Sequence, residues 1–173
     1  LFNYLNNKSI TPLIATIWKG SLHLSAILLQ AGANPNYPDY ISIKFLNKPP
    51  LIYAIKRHDI RAVRLLLDFN ADCNKPPDSP PLYIAAKTGF YEGVKMLRQK
   101  GAEVNNESIN PLLESVKSGN RECFAAMIEG QEEKILKKIQ NHSLSYHALK
   151  KNSNLLPLIA AITERQCKAK KNV

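Results

Sequence analysis

One phrase recurs along this chain, and a second phrase follows it at a fixed offset. The first reads Thr11-Pro12-Leu13-Ile14-Ala15-Thr16-Ile17. It returns as Pro49-Pro50-Leu51-Ile52-Tyr53-Ala54-Ile55 and as Pro80-Pro81-Leu82-Tyr83-Ile84-Ala85-Ala86. Weaker copies are Asn110-Pro111-Leu112-Leu113-Glu114-Ser115-Val116 and Leu156-Pro157-Leu158-Ile159-Ala160-Ala161-Ile162. The second phrase reads Ala26-Ile27-Leu28-Leu29-Gln30-Ala31-Gly32-Ala33-Asn34-Pro35-Asn36. Its counterparts run from Arg64 to Asn74 and from Lys95 to Asn105. Self-similarity at this period is the signature of stacked repeats, in which each unit buries its apolar face against its neighbours.

Each phrase carries its own physical reading. Proline suits the first turn of a helix, where its missing N–H leaves no bond unmade. The small residues Ala54, Ala85 and Ala86 let a short inner helix lie close to others. The runs Ile27-Leu28-Leu29 and Leu65-Leu66-Leu67 fit a second helix buried on most of its surface. Gly32 and Gly101 end those helices as residues that accept the left-handed conformation. Asn70, the best non-glycine substitute, fills that slot in the second repeat. A second glycine slot, Gly20, Gly89 and Gly119, joins the two helices and is filled by His58 in the second repeat. If that turn needs positive φ, His58 costs roughly 1–2 kcal/mol there.

These phrases resemble the ankyrin repeat, whose signature is Thr-Pro-Leu-His-x-Ala. The resemblance is good over residues 9–129 and poor beyond. It implies an all-α solenoid of about four to five helix pairs joined by hairpin turns. The signature histidine is replaced by Ile14, Ile52, Tyr83, Leu113 and Ile159, so its usual hydrogen bonds are missing or supplied otherwise. The expected organisation is the end of a preceding helix or cap at 1–8, four repeats at 9–129, degenerate repeats at 130–167 and a basic tail at 168–173.

Two intervals break the period. The segment between Tyr37 and Lys48 alternates Ile41, Ile43 and Phe45 with Ser42 and Lys44, which reads as strand. A lengthened hairpin finger is expected there. It either folds its apolar face back onto the repeats or offers Tyr37, Tyr40 and Phe45 to a partner. Between Gln131 and Gln140, Ile135, Leu136 and Ile139 form a helical stripe. The last inner helix is expected at Leu156–Ile162, with Leu144–Lys151 as the competing register.

No arrangement for catalysis stands out, and no catalytic residue, metal or cofactor is expected. There is no glycine-rich phosphate loop. His142 and His147 are off the spacing that puts two ligands on one helical face, and no CxxC pair exists. Cys73, Cys123 and Cys167 are odd in number and widely separated, which fits a reducing, cytoplasmic compartment. The richness in Asn, Lys and Ile is reminiscent of ankyrin-like effectors of intracellular bacteria, for which the compartment would be the host cytoplasm.

The chain has 24 Lys and Arg against 14 Asp and Glu, a net charge of +10. Such a charge favours acidic proteins, nucleic acid or anionic membrane surfaces. In ankyrin-like repeats the two residues after the Ala-Ala position on each inner helix face the concave surface. The resemblance therefore points to Trp18-Lys19, Lys56-Arg57, Lys87-Thr88, Lys117-Ser118 and Thr163-Glu164, bordered by tip residues Ile10, Lys48, Ser79 and Ile109. It implies a basic ladder with Trp18 at one end. The expected function is a scaffold that holds a protein with an acidic surface through this face and the finger, with no small-molecule substrate. The alternatives are an anion-binding module for nucleic acid or phosphoinositide membrane, and the substrate-docking part of a larger enzyme or effector.

Overall fold

In the computed structural model the residues described are 10–38, 48–104 and 110–129. They form α1 (Pro12–Lys19), α2 (Leu22–Gln30), α3 (Pro50–Lys56), α4 (Ile60–Asp68), α5 (Pro81–Thr88), α6 (Tyr91–Gln99), α7 (Pro111–Lys117) and α8 (Arg121–Ile128). The odd helices are the inner ones and pack side by side; the even, outer helices stack behind them. No strand occurs among the described residues. The described residues form an all-helical solenoid, as the repeats imply. The proposed cap, the centre of the finger and everything after Glu129 lie outside the described residues.

Starts and stops follow from the repeated residues. Proline stands at the first helical position of every inner helix. Thr11 Oγ1 accepts the Ile14 N–H at 3.2 Å, and Asn110 Oδ1 accepts those of Leu112 and Leu113. Pro49 and Pro80 occupy the same slot without a side-chain acceptor. Helices α1 to α7 all end alike. One residue turns left-handed, and the next N–H reaches back to a carbonyl in the last turn, as from Ser21 to Thr16 (2.9 Å) and from Ala71 to Leu66 (2.9 Å). His58 (φ 54°) and Asn70 (φ 62°) adopt this conformation without being glycine. The ring of His58 lies 4.8 Å from that of Phe90 in the next repeat, nearly parallel, which offsets part of its backbone cost.

The core is aliphatic and continuous through all four pairs. Leu13, Ile17, Leu51, Ile55, Leu66, Leu82, Leu97 and Leu112 are buried, with Phe124 and Met127 closing the far end. Ala54, Ala85 and Ala86 are fully buried, as close approach requires. Where those slots hold hydroxyls the groups are satisfied. Thr16 donates to the Leu13 carbonyl and accepts from Ser25, and Ser115 donates to the Leu112 carbonyl. The expectation of a mostly buried second helix fails at α2. Ile27 and Leu24 are exposed and Leu28 is half-buried, whereas Leu66 at the slot of Leu28 is fully buried. Helix α4 has an outer helix on each side, while α2 packs mainly on α1 and has a described outer neighbour, α4, on one side.

The turns are tied together by side chains. Asn36 donates from Nδ2 to the Asn70 carbonyl and accepts the Asp72 N–H at 2.7 Å. Asn74, one repeat on, accepts the Glu103 N–H at 2.9 Å. These bonds link successive turns between the repeats.

Candidate partner-binding face

The proposed ladder occupies one register. Trp18, Lys56, Lys87 and Lys117 hold the seventh position of α1, α3, α5 and α7, and Lys19, Arg57, Thr88 and Ser118 follow them. All eight are exposed. Their helices are neighbours, so each side chain stands on a helix packed against the next. Among the described residues the ion pairs are Lys75 with Asp72 and Lys100 with Asp68. None of Lys19, Lys56, Arg57, Lys87 and Lys117 takes part in either.

The members differ in how they are held. Arg57 donates from Nη1 to the Trp18 carbonyl at 2.6 Å, crossing from the second repeat to the last turn of α1. A cation there meets the negative end of the helix dipole. A Cβ on Gly20 would stand 2.7 Å from Arg57 Nη2, so a side chain there would push the guanidinium aside. Lys87 Nζ sits 5.9 Å from the centre of the Tyr83 ring. The Thr88 hydroxyl turns inward to the Ile84 carbonyl at 3.0 Å, which commits its proton to its own helix. Ser118 Oγ turns likewise to the Glu114 carbonyl. The cations are therefore the donors that face outward.

Trp18 is 54% exposed and stacks on Tyr53, with ring centroids 6.0 Å apart and planes inclined by 23°. Tyr53 holds the fourth position of α3, where its counterparts are Ala15, Ile84 and Glu114, and the sequence reading missed it. The signal was available, since positions four and seven of adjacent inner helices share a face. Of the tip residues, Lys48 and Ser79 are half-buried, but Ile10 is buried rather than bordering the face, because an isoleucine just before the Thr11 cap packs inward. Tyr37 is half-buried; Tyr40, Phe45, Ile109, Thr163 and Glu164 lie outside the described residues.

Two kinds of chemical group can be placed among the described residues: metal ligands and thiols. No group of three His, Cys, Asp or Glu side chains could hold a metal ion. Burial, assisted by Glu122 and Glu92, pushes the Cys123 thiol up to about 11, and burial with Asp72 raises that of Cys73, so neither offers a ready thiolate. No described helix is long and apolar enough to cross a membrane.

Residues 41–108 match the family described as ankyrin repeats, in three copies. Residues 41–108 carry ankyrin repeats. The chain is 30% identical over 120 residues, 66% of its length, to the ankyrin repeat and KH domain-containing protein mask-1 of Caenorhabditis elegans, and it spans 4% of that relative. Its fold is similar to the crystal structure of the ankyrin repeat domain of Bcl-3, a unique member of the IkappaB protein family. The TM-score is 0.64 at 23% identity, over 73% of this chain and 55% of that one. Ankyrin repeats are in general modules of protein–protein interaction, built around an extended concave surface.

Proposed function

We propose that this chain is a non-catalytic recognition module that holds an acidic protein surface against its inner-helix face. One observation carries the reading: Lys19, Lys56, Arg57, Lys87 and Lys117 lie along that face, exposed, and none is in an ion pair with another described residue. Lysines and an arginine gathered on one face outside any ion pair favour an oppositely charged partner and speed its encounter. Tyr37, Tyr40 and Phe45, the residues the sequence offers from the expected finger, would extend the contact. The free thiols of Cys73 and Cys123 suit a reducing compartment such as the cytoplasm.

The test is capture of a protein partner on the immobilised chain, repeated with Lys56→Glu, Arg57→Glu and Lys87→Glu combined. The triple variant should fold, since these side chains are exposed, and should associate more slowly and with a flatter salt dependence. Normal association by the triple variant would reduce the row to a solvated surface and move attention to the finger.

A further inference from the structure

The row of inner-helix cations is interrupted at one end, and the interruption is structured. At the seventh position, lysine in α3, α5 and α7 gives way to Trp18 in α1. Trp18 lies against Tyr53 of the next helix, and the Arg57 guanidinium is fixed on the Trp18 carbonyl beside them. Tryptophan, tyrosine and arginine are the residues most often found as binding hot spots, and here their relative positions are set before any partner arrives. We propose, resting on the protein-recognition reading above, that Trp18, Tyr53 and Arg57 form an anchor subsite for one aromatic or large aliphatic side chain of the partner, and that carboxylates adjoining that side chain in the partner run along Lys56, Lys87 and Lys117.

Position argues for this order. The aromatic pair spans the α1–α3 contact, and the cations continue from α3 to α7, so an occupant meets an apolar patch first and positive charge beyond it. Arg57 stands between the two. One Nη is committed to the Trp18 carbonyl, and its remaining N–H groups are donors for a carboxylate next to the anchored side chain. An acidic polypeptide fits better than a nucleic-acid strand. Single strands bind by stacking successive bases on aromatic faces spaced along a cationic groove. Here Trp18 and Tyr53 are stacked into one site rather than spaced along the row. The next aromatic ring on the inner helices, Tyr83, is half-buried with Lys87 above it.

Trp18 is the sole tryptophan of the chain, so its emission reports on this subsite alone. Three probes decide the matter: a fluorescein-labelled peptide with one phenylalanine beside a run of glutamates, the same peptide with glycine for phenylalanine, and a labelled oligothymidylate. Unlabelled copies serve for emission. The expected result is that the phenylalanine peptide shifts Trp18 emission to shorter wavelength and binds about tenfold tighter than the glycine peptide, the effect of one well-seated anchor. In Trp18→Ala, with its helical circular dichroism verified, that advantage should fall below about twofold. Equal binding of the two peptides with unchanged Trp18 emission would overturn the anchor while leaving the recognition reading in place. Failure of both peptides to bind would count against the recognition reading itself. Tighter binding of the oligothymidylate, with quenched Trp18, would overturn both in favour of nucleic acid. The wild-type emission decides even if the variant does not fold.

Discussion

The first and second helix pairs are built on one backbone and do different things with it. Gly20 and His58 turn at the same slot with φ of 75° and 54°. Gly32 and Asn70 end the outer helices in the same way. Inside the pair the chemistry has changed: Ser25 and Thr16 share a hydrogen bond at 2.9 Å, where the second pair has Val63 and Ala54. Outside, Trp18 stands where the second pair has Lys56. Backbone slots accept what their φ allows. Buried slots become polar where the new hydroxyl finds a partner, as Ser25 does in Thr16 and Ser115 in the Leu112 carbonyl, because a lone buried hydroxyl is costly. Exposed slots change singly, and those are the ones available for function.

The widest contrast between the pairs should appear in their outer helices. Leu66→Ala removes a fully buried side chain between two outer helices and should cost about 2–5 kcal/mol in denaturant unfolding. Leu28→Ala, at the same slot of α2 but half-buried, should cost clearly less. Equal losses would mean that the first pair is as enclosed as the second. A loss below about 0.5 kcal/mol at Leu66 would show the repeat register to be wrong.

The turn slot should separate them next. Gly20→Ala places a Cβ on a left-handed backbone and displaces the flexible end of Arg57, and should cost about 1–2 kcal/mol, mostly from the backbone. Adding Arg57→Ala should recover the steric part and leave the backbone part. Within the first pair, Thr16→Ala and Ser25→Val singly should each cost about 1 kcal/mol, and the double variant should cost less than their sum, since it installs the second pair's apolar combination. Strict additivity would mean that the 2.9 Å bond contributes nothing.

The smallest effect should come from His58→Gly, which relieves the φ of 54° and loses the stack on Phe90. A gain of about 0.5 kcal/mol is expected as the difference of the two. Destabilisation would show that the stack outweighs the strain.

Much of this was legible in the sequence because the constraint repeats. Pro12, Pro50, Pro81 and Pro111 mark four helix starts, and Gly or Asn at fixed offsets mark the stops, so the register survives individual substitutions. Even His58 was readable as a residue forced into positive φ. The contacts between repeats were less legible. Asn36 and Asn74 were visible as recurring residues, but their bonds to the next turn depend on how far repeats are spaced, which no local pattern gives. The stack of Trp18 on Tyr53 joins two helix positions that are not equivalent, and the Arg57 bond to the Trp18 carbonyl crosses between repeats beside Gly20. The exposure of Leu24 and Ile27 was missed because pattern reports a helix face as apolar without saying what covers it.

The central claim is that the exposed cations of the inner helices recognise an acidic polypeptide. It is tested most directly by measuring the affinity of the intact chain for an acidic peptide and for an unrelated mixed-sequence oligonucleotide at two salt concentrations, with and without Lys56→Glu, Arg57→Glu and Lys87→Glu combined. Peptide binding is expected to weaken with salt and to become weaker and less salt-dependent in the triple variant, with little oligonucleotide binding at physiological salt. Tight binding of the oligonucleotide with a steep log–log dependence on salt, the mark of counterion release, would contradict the claim.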